Sequence, residues 1–285
     1  MQWEDKRRSN NVDDRRGMSK GKIAAGGGIG VIIIALLSLF TGKDLSFLND
    51  VVGNQNSIEQ TERLSEAELA NRSDARAADF VKVVLASTED VWTEIFRQNN
   101  LTYKTPKLTL FDDVTQTGCG VGQAGMGPFY CPVDQHAYID LSFCDELKNK
   151  FNAPGDFAVA YVIAHEIGHH IQNLQGRTAW MQQQRGKISE AAYNRLSVQL
   201  ELQADFYAGI WAHYSQKQFN WLVKSDIESA LKAAEAIGDD KLQKEAQGYV
   251  VPESFTHGTS QQRMTWFMKG FETGDLNQGK YENIR

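Results

Sequence analysis

The sequence predicts an α+β fold, mostly helical, with a small sheet and one apolar N-terminal span. Three observations predict it. Short β-type runs, "KLTLF" (107–111), "FYC" (129–131) and "HAYIDL" (136–141), all precede Ser142. Beyond Ser142 the apolar residues recur at helical spacing. The stretch 23–42, "IAAGGGIGVIIIALLSLFTG", carries no charge for 20 residues. At about 1.5 Å per residue it is long enough for a hydrocarbon core of about 30 Å.

The elements follow in order. Residues 1–22 are polar and carry Lys6, Arg7, Arg8, Arg15, Arg16, Lys20 and Lys22. Basic residues before an apolar span predict a cytoplasmic tail, a transmembrane signal anchor over 23–42, and export of everything after it. A cleaved signal peptide is the competing reading, but "LFTGKD" lacks a small-x-small cleavage pattern. Residues 43–74 are polar and read as a linker, which leaves 75–285 as the folded domain. From Ala75 to Gln98 a long core helix is expected, because Phe80, Val83, Val84, Val91, Trp92, Ile95 and Phe96 share one face. "GCGVGQAGMGP" (118–128) is a glycine-rich loop. Helices are expected at about 156–174 with Asp156 as N-cap, 190–214, 226–236, and from a Thr259 or Ser260 cap to about Gly270.

Composition narrows the function classes. The 285 residues have a formal net charge of −6, and 22 basic against 32 acidic residues remain after position 43. That balance argues against nucleic acid as a partner. Three cysteines exclude a disulfide-dense scaffold. In an oxidising compartment Cys119 and Cys131, which flank the glycine-rich loop, could pair, with Cys144 left single.

The stretch "VIAHEIGHHIQN" (162–173) holds the densest chemistry. His165 and His169 are about 40° apart on a helix, one turn above the other, so their imidazoles can converge on one ion. Glu166 sits one step round the helix. This is H-E-x-x-H, where two histidines bind zinc and the glutamate is the general base. His170 points elsewhere and reads as a partly exposed helix residue. The metzincin pattern is excluded, since Gln172 and Gln175 stand where its Gly and third His would be.

The helix "RLSVQLELQADFYAGIWAH" supplies a different third ligand. Glu201 and Asp205 share a face otherwise lined by Ser197, Ala204, Ala208 and Ala212, with Gln199 and Gln203 on the expected solvent side. Two unpaired carboxylates facing a core are costly. Glu201 as metal ligand and Asp205 as acceptor for a ligating imidazole N–H would resolve that. Gly168, unfavourable by about 1 kcal/mol inside a helix, suits a close approach of the two helices.

Four blocks, "GPFYCPVDQHAYIDLSF", "AHEIGHHIQN", "ELQADFYAGIWAH" and "SFTHGTSQQRMTWF", together resemble the bacterial neutral zinc metallopeptidase family. The ligand set His, His, Glu is gluzincin-like. The resemblance covers most of residues 75–272. Phe206 departs from it, standing where relatives are expected to carry Cys. The resemblance implies a zincin-like domain with one Zn²⁺ per chain, a peptide or protein substrate, and a single-pass place in the bacterial inner membrane with the domain periplasmic. The expected chemistry is amide hydrolysis by zinc-activated water, with Glu166 as base. His257 is the first candidate to stabilise the developing oxyanion, ahead of Tyr161 and Tyr193. By likeness to zincins "HAYIDL" could offer an open edge to an extended peptide, and plain core pairing is the equal alternative. His136 and His213 read as structural. A catalytically silent, metal-stabilised module that binds peptides or envelope proteins is the alternative.

Overall fold

The computed structural model of the chain describes residues 1–18 and 63–284. Its first element is a strand absent from the sequence reading, β1 (Val12–Asp14). Helices α1 (Glu66–Ala70) and α2 (Ala75–Gln98) follow. Next come strands β2 (Lys107–Phe111), β3 (Val114–Thr117), β4 (Gly120–Gln123), β5 (Phe129–Cys131) and β6 (His136–Asp140). The helices α3 (Ser142–Asn149), α4 (Asp156–Leu174), α5 (Arg177–Gln184), α6 (Glu190–Phe219), α7 (Lys224–Ala236), α8 (Asp239–Gln247) and α9 (Ser260–Thr273) complete the order. Short 3-10 turns occupy Leu276–Gly279 and Tyr281–Asn283. The architecture is thus α+β, mostly helical, with a small sheet. Among the described residues no helix is long and apolar enough to cross a membrane. The stretch 23–42 and the linker up to residue 62 lie outside the described residues.

The sheet runs β1-β2-β6-β5. β1 and β6 are parallel to β2, and β5 is antiparallel to β6. β6 is therefore an interior strand with both edges paired. Of the two readings of "HAYIDL", core pairing holds and the open edge does not: among the described residues the outer strands are β5 and β1. The glycine-rich region folds partly as a β3–β4 hairpin. The expected disulfide joins Cys119 in its turn to Cys131 at the end of β5. Cys144 is free and half-buried, as expected of the single thiol.

Residues 1–18 correct the domain boundaries. Read as a separate tail, they are built into the domain. β1 adds a fourth strand through Asp13↔Thr109 and its neighbours. Trp3 is buried against Phe80, with ring centroids 5.1 Å apart, and its Nε1 donates to Asp156 at 2.9 Å. Three of the basic residues have acidic partners beyond residue 63. Arg7 binds Glu89 and Asp90, Arg8 binds Asp79, and Arg16, buried, bridges Asp14 and Asp74. Nothing local in "VDD" announces a strand, because its partner lies almost a hundred residues on.

The helical half centres on α4, whose residues from Phe157 to Gly168 are all buried. It crosses α6 where both chains are thinnest. A Cβ on Gly168 would stand 2.9 Å from the Ala204 carbonyl oxygen, so the close approach expected there is real. α6 meets α9 at a second such point, where a Cβ on Gly209 would fall 2.1 Å from the Phe267 oxygen. α6 runs past Tyr214 to Phe219 and stops at Asn220 in the left-handed region, φ 48°. Thr259 caps α9 in a reciprocal box with Gln262. One facing prediction fails. Gln203, expected on the solvent side, is buried because the turns at 276–283 cover it; its Nε2 donates to the Gly279 carbonyl at 2.8 Å. Gln199 likewise donates to the Ile284 carbonyl.

Candidate metal centre

Three helices build the site: α4 carries His165, Glu166 and His169, α6 carries Glu201 and Asp205, and α9 carries Arg263. Ligand atoms of His165, His169 and Glu201 all lie within 4.8 Å of one another. His165 Nε2 is 3.1 Å from Glu201 Oε2, and His169 Nε2 is 3.5 Å from Glu201 Oε1. Two donors each about 2.0–2.1 Å from a tetrahedral zinc stand roughly 3.4 Å apart. The donor set therefore fits zinc in chemistry and spacing.

The imidazoles are oriented from behind. His165 Nδ1 meets Asp205 Oδ1 at 2.8 Å, and His169 Nδ1 meets Gln172 Oε1 at 2.9 Å. Gln172 is held in turn, since its Nε2 donates to the Leu200 carbonyl and to Gln203 Oε1. With both Nδ1–H groups donating backwards, both Nε2 atoms face Glu201 and are the nitrogens left to bind a metal once they lose their protons.

Asp205 is the hub of that support. Its carboxylate is fully buried and also accepts from Tyr161 Oη at 2.6 Å and from Arg263 Nε and Nη2 at 2.8 and 3.0 Å. Burial pushes the Asp205 carboxyl up, but Arg263 and His165 outweigh it and hold it below its ordinary value. Burial opposes a charge on His165, yet Asp205 and Glu201 outweigh it and raise its pKa to about 9 in the absence of metal. Glu201 is held well below the carboxylate range, because the two histidines prevail over burial. Glu166 differs: burial dominates and raises its pKa.

The centre opens into a cleft of about 750 Å³. One wall is the loop 125–128 with β5, and another includes Tyr193 and Leu200 of α6. His257 reaches this cleft from the loop before α9. Asp239 shapes the loop: its Oδ2 accepts the backbone N–H groups of Thr256, His257 and Gly258, and its Oδ1 lies 3.2 Å from His257 Nδ1. That bond to Asp239 raises the His257 pKa against the effect of burial. The His257 side chain is half exposed.

The other candidates separate cleanly. Tyr161 lines the cleft but spends its hydroxyl on Asp205, behind His165. His170 points away from the ligands, as expected, but it is fully buried rather than partly exposed. Its Nε2 faces the Lys104 carbonyl, Tyr130 Oη meets its Nδ1, and burial depresses its pKa to about 4. It fastens β5 to α4. His136 bonds Thr109 and His213 bonds the Phe271 carbonyl, both structural. Phe206 is buried against Trp266 and Gly279, away from the ligands. Sequence reading missed Arg263, Gln172 as a brace, and Asp239. Arg263 did leave a signal: it shares a helix face with Phe267 and Gly270, a charge in an apolar stripe.

A family model described as "Putative neutral zinc metallopeptidase" matches residues 1–281. The chain belongs to this family. It is 47% identical over 287 residues to the uncharacterized protein YpfJ of Escherichia coli K12, covering 98% of this chain and 97% of that one. It is 41% identical over 216 residues to the uncharacterized protein Rv2575 of Mycobacterium tuberculosis H37Rv, covering 72% of each. No solved structure matches the chain. The family assignment implies zinc, and the His165, His169 and Glu201 donors suit it.

Proposed function

We propose that the chain hydrolyses peptide bonds as a zincin-like metalloendopeptidase with one zinc per chain, held by His165, His169 and Glu201. The observation that carries this reading is the convergence of those donors beside Glu166, inside a cleft. A bound zinc would supply Lewis acidity to a water and to the scissile carbonyl.

The remaining steps fall to side chains. Glu166 takes the water proton and returns it to the leaving amine; burial raises its pKa toward that task. His257, whose proton is held by Asp239, offers positive charge to the oxygen that becomes anionic. Asp205 and Gln172 keep the two ligating rings from turning. The free edge of β5 can take an extended peptide as an added strand, with no need for a free terminus. That edge supports endopeptidase action.

The test uses Glu166→Gln. It should keep stoichiometric zinc and lose peptide-library hydrolysis by at least about a hundredfold, the scale of general-base catalysis. A wild-type protein that binds one zinc and cleaves no peptide would favour the silent binding module. A protein without stoichiometric zinc would overturn both readings.

A further inference from the structure

The two described parts of the chain, 1–18 and 63–284, meet where the stretch between them leaves and returns. Arg63 Nη1 donates to Asp13 Oδ1 at 3.0 Å. A Cβ on Gly17 would stand 2.2 Å from Leu64 Cδ1. Asp112 accepts the Gly17 N–H at 2.6 Å and pairs with Arg72 at 2.9 Å. The exit at residue 18 and the re-entry at residue 63 therefore share one patch of the surface.

We propose that residues 1–18 and the metal-site domain lie on the same side of any membrane that holds the chain. A single span holds its two ends about 30 Å apart on opposite faces of a bilayer. Here the segments on either side are joined by hydrogen bonds, ion pairs and a shared sheet.

Both sequence readings of the N-terminus, anchor and cleaved signal, lose support. The positive-inside rule counts basic residues free to stay in the cytoplasm. Arg7, Arg8 and Arg16 each pair with acidic residues beyond position 63, and Arg15 pairs with Asp13 and donates to the Gln116 carbonyl. Cleavage after the apolar stretch fares no better. It would leave β1 and Trp3, a residue only 2% exposed, with no covalent link to the core they pack in.

The experiment uses the full chain with Cys144→Ser. One new cysteine is placed at exposed Asn10 or at exposed Thr93. Bacterial spheroplasts are treated with a membrane-impermeant maleimide before and after lysis, with the parent lacking the new cysteine as baseline. The expected result is that both positions behave alike: both labelled in intact spheroplasts, or both only after lysis, within about twofold. Labelling of one in intact spheroplasts while the other is protected more than tenfold would overturn the proposal. Whichever side is shared, the labelling names it. A shared outer side accords with the Cys119–Cys131 bridge, since disulfides persist in oxidising compartments.

Discussion

Two regions of this molecule use ion pairs to join distant parts of the chain, in opposite ways. At the metal centre a single buried pair, Arg263 with Asp205, ties α9 to α6 and braces His165 through the same carboxylate. At the N-terminal segment many half-exposed pairs act side by side, and the buried weight is carried by Trp3 and Arg16. A buried pair is expensive to break, because the surviving charge is left without solvent or partner. An exposed pair contributes little alone. The metal centre is therefore brittle and specific, whereas the N-terminal clasp is redundant.

The largest effect should come from the brittle region. Arg263→Met takes the arginine from buried Asp205 and leaves it only His165 and Tyr161, so stability should drop by about 3 kcal/mol in urea unfolding. Equal stability in Arg263→Met would erase the contrast. In the clasp, Trp3→Ala should lower stability by about 3 kcal/mol through lost packing, read the same way. A negligible change there would mean that the segment is not part of the cooperative fold.

The pH dependence of metal uptake sharpens the comparison. Without metal, His165 has its pKa raised to about 9, Asp205 and Glu201 overcoming burial. Zinc needs the neutral ring, so binding releases a proton. Between pH 9 and pH 7 the apparent zinc affinity should fall about tenfold per unit for this one proton, measured by chelator competition. The metal-free fold should respond in the other direction. A raised histidine pKa stabilises fully below its ordinary value of 6.5 and loses that contribution as pH rises through about 9. The melting temperature of metal-free protein should therefore fall over the range in which zinc binding strengthens.

Smaller effects come next. Asp205→Asn should weaken zinc by roughly 10–100-fold, the usual effect of losing a partner behind a ligating histidine. Arg8→Ala removes one exposed pair and should change stability by less than about 1 kcal/mol. A larger loss would show that the clasp is not redundant.

Much of this was readable from sequence, for identifiable reasons. Helices α2 and α4 span the residues the sequence marked, since both are long and largely buried. H-E-x-x-H is a local motif, and Glu201 followed from asking why two acids share a thin helix face. What escaped depends on distant partners. β1 is three polar-flanked residues whose register is set by β2. Gln203 was misplaced because turns more than seventy residues later cover its face. α5 and α8 are short and polar, with little periodicity to detect. Arg263 was visible as a charge in an apolar stripe, but its partner lies 58 residues away.

The contact of Gly168 with Ala204 has a further meaning. Three of the four residues proposed to handle metal and water stand on α4, and the fourth stands on α6. Backbone touches backbone between them, so their spacing is set by a hard stop rather than by the ligands. The two helices act as the jaws of a fixed-gap caliper. The gap between the donors then depends on a missing methyl group at residue 168, a position outside the donor set.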